Sequence, residues 1–308
     1  MKGIKYIHCF GTSHTAGGGF EFGSNNPERN FLLNKYYSIP NEELSQYNFS
    51  YPGQLQKFIG NDIKVLNHAK QGYGDDRIQR ILYGIVQELD FNKDEHIFII
   101  EFSGSGRQEI FVNEMGKYLT INYEPEHFDS DTDINSIKTK LAGMAFSYFY
   151  DNMDEYNYIN EHTSFFEKFV SEHINYKNEM FRISMMNDML LAFLQKHNLN
   201  FFYTNKPFLM KTEITRDEYG KNGIIEFGDD VFFKKSNSIL EFAGKNKMFI
   251  THETEGLYED LHNSFKCNKL VAHIIYNKLV ETTYLDLPIK PIDWQWYKTI
   301  NFVKEKLI

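Results

Sequence analysis

The sequence predicts an α/β protein: a three-layer α/β/α sandwich around a parallel sheet of about five strands. It reads as one domain over residues 1–308, with a helical, aromatic-rich insertion at about 111–178. Three observations lead there. Ile97-Phe98-Ile99-Ile100 is apolar without alternation, as a strand buried on both faces must be. Short strand-like runs alternate with helix-period segments, the pattern of βαβ units. The runs end in small-residue corners, where open α/β folds place their ligands. These corners are Gly11-Thr12-Ser13, Gly72-Tyr73-Gly74 and Ser103-Gly104-Ser105-Gly106-Arg107.

Taken in order, Ile4 to Phe10 reads as the first strand and stops in the glycine-rich corner that presents Ser13. Phe20 to Tyr51 shows no period and reads as a long loop with one short helix. Tyr51 to Gly60 is a helix with a glycine stop, and Ile63 to Asn67 a short strand. Asp75 or Asp76 can cap a helix whose apolar face is Ile78, Ile81, Leu82, Ile85, Val86 and Leu89. After the Ile97 strand and the third corner the pattern loosens, through an acidic loop at Glu124–Asp133 and an ambiguous Ala142–Tyr150. Phe165, Phe166 and Phe169 are expected to form a helical cap over the carboxyl edge of the sheet.

Met186, Met189, Leu190, Phe193 and Leu194 share a helical face read as core, with Asn198 as its stop. Leu199 to Thr204 is the next strand, Pro207 to Lys245 a turn-rich excursion, and Lys247 to Thr251 the final strand. Leu270, Val271, Ile274, Ile275 and Leu279 form the stripe of the last long helix, capped by Asn263 or Ser264.

Composition narrows the function classes. A formal charge of −9 argues against a basic nucleic-acid footprint. Cys9 and Cys267 are too few and too far apart for a disulfide framework, and both read as reduced core residues. The first apolar run is broken by Lys5 and His8, so no signal peptide is expected, and no run approaches a membrane span. The chain is expected to be cytoplasmic when made, with a virion component as the alternative setting and no nucleic-acid or membrane partner.

A serine in a tight corner usually just hydrogen-bonds the backbone. What raises Ser13 above that reading is Asp260-Leu261-His262 near the other end of the chain. Acyl transfer needs a hydroxyl nucleophile, an imidazole to take its proton, a carboxylate to fix the imidazole, and N–H donors for the oxyanion.

With these residues in view, the chain resembles the SGNH or GDSL-type hydrolases, a family of esterases and lipases. Gly11-Thr12-Ser13, with Gly17 beyond, matches the first block. Asn67 and Gly72 match the second, and Asp260-Leu261-His262-Asn263-Ser264 the last. The resemblance implies a flavodoxin-like fold and a serine esterase acting on an ester or O-acyl group, with carbohydrate O-acetyl groups favoured. Ser13 is then the nucleophile, His262 the base, and Asp260 (or Glu259) the orienting carboxylate. The N–H groups of Ser13 and Gly72 form the oxyanion hole, and no metal or organic cofactor is called for.

Two positions depart from the pattern. Thr12 replaces an aspartate, and the third block lacks its asparagine, with Ser105 in that place and Arg107 nearby as a substrate-binding cation. An absent oxyanion donor costs on the order of 10²–10³ in rate. The rival readings are therefore a catalytically weak or inactive glycan-binding or virion module, and an O-acyltransferase on the same fold. His14 reads as a loop residue rather than a second base. His252, Glu253, Glu255 and His262 lack the tight spacing of a metal site.

Overall fold

The computed structural model describes residues 3–18, 46–70, 72–88, 90–103, 106–125, 139–141, 153–204, 223, 225–250 and 262–299. Asp260, Glu259, Ser105, the Ala142–Tyr150 stretch, His252, Glu253, Glu255, most of the 20–51 loop and residues 205–222 lie outside them. The chain opens with β1 (Tyr6–Phe10), the helical turn α1 (Ser13–Ala16), then α2 (Gln46–Phe49), α3 (Tyr51–Ile59), β2 (Lys64–Asn67), α4 (Asp75–Val86) and β3 (His96–Ile100). It continues through β4 (Arg107–Val112), β5 (Lys117–Pro125), β6 (Thr139–Leu141), α5 (Met153–Glu161), α6 (Thr163–His173) and α7 (Tyr176–Lys196). The last elements are β7 (Asn200–Tyr203), α8 (Ile239–Lys245), α9 (Phe265–Glu281) and α10 (Trp294–Thr299).

Four strands pair in the order β2-β1-β3-β7, all parallel, with Ile7 opposite both Val65 and Ile97, and Ile99 opposite Phe202. Alternation along the strands feeds two cores. Ile7, Cys9, Ile97, Ile99 and Phe202 pack with Leu55 of α3 and Leu270, Val271 and Ile275 of α9. Phe10, Phe98, Ile100 and Phe201 pack with Ile78 and Leu82 of α4 and Leu190 and Leu194 of α7. Helices thus cover both faces, as the unbroken apolar strands require. Among the described residues, no helix is long and apolar enough to cross a membrane.

Among the described residues the expected fifth strand does not join the sheet: Lys247, just after α8, takes a φ of 53°. Phe249 instead bridges Asn263 antiparallel, with Ile250 N donating to the His262 carbonyl at 2.9 Å. The insertion is a second correction, because it is helical only in its later part. It opens as an antiparallel meander, β4-β5-β6, turned at Gly116 (φ 64°). Val112, Leu119, Ile121 and Tyr123 point inward at period two, and Phe166 and Val170 of α6 fill the same small core. Phe166, with Phe169 packed against that core, therefore serves the meander, while Phe165 is exposed.

Two smaller expectations also shift. Met189, read as core, is exposed on α7. Gly74, not an aspartate, occupies the N-cap of α4. The meander is fastened beside the carboxyl edge of the sheet through the first turns of α4. Glu109 N donates to Asp76 at 2.8 Å, Arg80 grips Glu109 with two bonds, and Arg182 of α7 spans Asp76 and Glu179.

Candidate active site

The chain leaves β1 towards β2 on one side and leaves β3 towards β7 on the other, which creates a crevice at the carboxyl ends of β1 and β3. Ser13 stands there, half-buried, as the first residue of α1. The turn closes tightly: Gly17 takes φ 83°, and the amides of Gly17 and Gly18 both return to the Ser13 carbonyl. A side chain at position 17 would meet Gln46 and Ser50 at 2.8 and 2.9 Å, so glycine is required by both conformation and space.

Gly18 reports the distance across the crevice. A Cβ built on it would lie 2.7 Å from His262 Nε2 and 3.0 Å from Ser13 Cβ. Residues 249 positions apart therefore border one point. The antiparallel pairing of residues 248–250 with 262–264 delivers His262 there.

A second imidazole stands beside it. His14 and His262 have ring centroids 5.5 Å apart. His14 Nδ1 meets Asn263 Oδ1 at 3.2 Å, Asn263 Nδ2 donates to Asn268 Oδ1 at 3.2 Å, and Asn268 Nδ2 donates to the Phe49 carbonyl at 3.0 Å. A carbonyl only accepts, so the order of donors along this buried chain is set from its far end. His14 must carry its proton on Nδ1. Sequence reasoning set His14 aside as a loop residue and read Asn263 as a candidate cap of α9, where Ser264 is the N-cap; nothing local announces the partnership of His14 and Asn263.

Beneath the serine turn lies Glu101, the residue directly after β3 and buried to 3% exposure. Its Oε2 accepts from Thr12 N at 3.3 Å, Thr15 N at 3.2 Å and Thr15 Oγ1 at 2.5 Å. Burial pushes its carboxyl upward, while the Thr15 and Thr12 donors and the Arg107 charge oppose that. The available signal was a charged residue ending an otherwise apolar central strand.

Arg107 turns inward. Its Nη1 donates to the Tyr73 carbonyl at 3.1 Å, and its Cβ would sit 2.9 Å from a Cβ on Gly74. Burial lowers its pKa, and Asp75 and Glu101 pull it back up. Asp75 accepts Ser103 N at 2.7 Å, which ties the third corner to the second, and its other oxygen is buried without a partner. Burial lifts Asp75 to about 6. Gly72 is buried at φ 74°, and Asn67 Nδ2 reaches the Thr15 carbonyl at 3.3 Å, joining the second block to the serine turn.

Comparison with family models, with curated proteins and with solved structures returned no match.

A further polar group crosses the α4 face of the sheet. His8 Nδ1 meets His68 Nε2, and His8 Nε2 meets His96 Nδ1, each at 2.9 Å. The centroid separations, 5.2 and 5.1 Å, equal those gaps extended by a ring radius at each end. The rings thus meet edge to edge, tilted by only 14° and 9°. All three border a cavity of about 740 Å³ shared with Tyr6, Phe91, Glu88 and Glu95.

Burial, then the neighbouring imidazoles, hold His8 down to about 3, and burial and Arg77 hold His68 to about 4. Unfolded, each takes its proton near 6.5, so their contribution to stability is whole above that pH and is lost as pH falls. At pH 5 His8 alone should cost about 2 kcal/mol. Asp75 acts in the opposite sense, gaining its proton first in the folded state as pH falls through about 6. Urea midpoints at pH 7.5 and 5.0 should show a net acid loss that His8→Phe flattens. Equal slopes in the two proteins would contradict this account.

Proposed function

We propose that this chain is a serine esterase of SGNH type that hydrolyses an ester or O-acyl group, with carbohydrate O-acetyl esters as the favoured class. The observation that supports it best is the meeting of Ser13 and His262 at Gly18, in the crevice at the β1–β3 carboxyl edge. In this reading Ser13 Oγ attacks the ester carbonyl carbon and its proton passes to His262. The oxyanion is held by the N–H groups of Ser13 and Gly72, with Ser105 as a further donor. Collapse expels the alcohol, which leaves with the proton from His262. Water, deprotonated by the same ring, then releases the acid and restores Ser13. Asp260, or Glu259, orients the imidazole. Arg107 contributes charge from behind the second corner, since its Nη1 is engaged by Tyr73.

A glycan-binding role without turnover is favoured by a different observation. Phe111 and Tyr118 form an exposed edge-to-face pair on the meander, with the Arg80 guanidinium over the Tyr118 ring. Such rings suit stacking against sugars.

A serine-directed fluorophosphonate separates the two readings. Stoichiometric labelling, mapped by peptide sequencing to Ser13 and abolished in Ser13→Ala, is the expected result. A folded protein that takes up no label and turns over no ester is the glycan-binding module.

A further inference from the structure

We infer that Glu101 is the positioning residue of the Ser13 turn, a carboxylate supplied from β3 that caps α1 from outside its own segment. The inference rests on reading Ser13 as the nucleophile.

A helix start is ordinarily satisfied by its N-cap side chain, which accepts from the N–H two or three residues on. Here the N-cap is Thr12, and it makes no side-chain cap bond. Thr15 is the third helical residue, and its N–H goes to Glu101 Oε2 instead, together with the Thr12 N–H and the Thr15 hydroxyl. One oxygen thus holds the backbone on both sides of Ser13. Three donors converging on a single oxygen are the environment of an ionised carboxylate, and the Arg107 guanidinium supplies the opposite charge.

The residues around it fit that task. A Cβ on Gly11 would stand 2.5 Å from Glu101 Oε2, so the glycine of the Gly11-Thr12-Ser13 corner makes room for the carboxylate. Thr15 is fully buried, which leaves its hydroxyl proton no solvent alternative. Glu101 follows β3 and Ser13 follows β1, two strands in direct register (Phe10 opposite Ile100), so the sheet itself fixes their separation. A turn held this way presents Ser13 Oγ in one orientation without spending any donor that an oxyanion needs.

The test combines two measurements on the full chain. The first is amide hydrogen exchange at Thr12 and Thr15. The second is the rate constant and final extent of Ser13 labelling by a fluorophosphonate. In Glu101→Gln both amides should lose at least tenfold in protection. The labelling rate constant should fall at least tenfold at saturating probe, while half-saturation and the final labelled fraction are kept. General destabilisation would instead lower the final fraction.

Thr15→Val, nearly the same shape without the hydroxyl, should slow labelling several-fold, and Thr15→Ser should restore it to within twofold. Glu101→Gln with wild-type protection and wild-type labelling would overturn the inference. If that variant does not fold, a Thr15→Val protein that labels and exchanges like the parent overturns it. A parent protein that takes no label at Ser13 removes the nucleophile reading alone. Exchange at Thr12 and Thr15 then still decides whether Glu101 holds the turn.

Discussion

His262→Gln is expected to lower kcat on a small activated acetate ester by about 10²–10⁴-fold with KM little changed, the range for loss of a general base. Ser13→Ala should lose at least as much, and the double variant little more, since residues that act as a unit are not additive. His14→Gln is the informative companion. Ser13 and His14 are adjacent on a helical turn, and side chains one apart do not face each other. His14 also has its Nδ1 proton committed to Asn263. Its loss should cost less than tenfold. If His14→Gln proves the more damaging change, the base has been misassigned between two rings 5.5 Å apart.

Arg107→Leu should destabilise the fold by about 1–3 kcal/mol, since it removes the donor to the buried Tyr73 carbonyl and a positive charge near two buried carboxylates. Two carboxylates are affected: Glu101 and Asp75 are each only 3% exposed, and both interact with the Arg107 charge. Arg107→Lys, which keeps the charge and loses the planar fork, should fall between the two. The pH dependence identifies the cause. Asp75 already takes its proton near 6 in the folded protein, above its unfolded value, so acid relieves the strain of burying it. Without Arg107 that relief begins at higher pH. The gap in urea midpoint between variant and parent should therefore narrow from pH 7.5 to 5.5. A gap constant across that range would mean that packing, not charge, was lost.

How much of this was legible in the residues depends on the range of the interaction. The strand at Ile97–Ile100 and the helix around Ile78 and Leu82 announce themselves through local apolar pattern, and both formed where expected. The final strand at Lys247–Thr251 had the right composition, yet its partner proved to be the segment carrying His262 rather than β7. In the meander, Phe111 and Tyr118 face outward, so aromatic residues on both faces hid the alternation that Leu119, Ile121 and Tyr123 carry. The Ser13 and His262 pairing was suggested by family resemblance, since no periodicity links residues so far apart. The roles of Glu101 and Asn263 were missed because a buried polar residue is meaningful only through its partner, and both partners come from other elements.

The imidazole row of His68, His8 and His96 obeys a simple proton count. Three neutral rings own three protons, of which two occupy the inner gaps and one sits on an outer nitrogen at either end. A fourth proton can join at the vacant end, and a concerted hop through both gaps carries the excess from one terminus to the other with every bond re-formed. A fifth has no such place, because one of the gaps would then hold two hydrogens facing one another. The row is thus a conductor for a single proton and an insulator against a second. It runs from the loop after β2 to the start of β3 along the wall of the cavity that all three rings border.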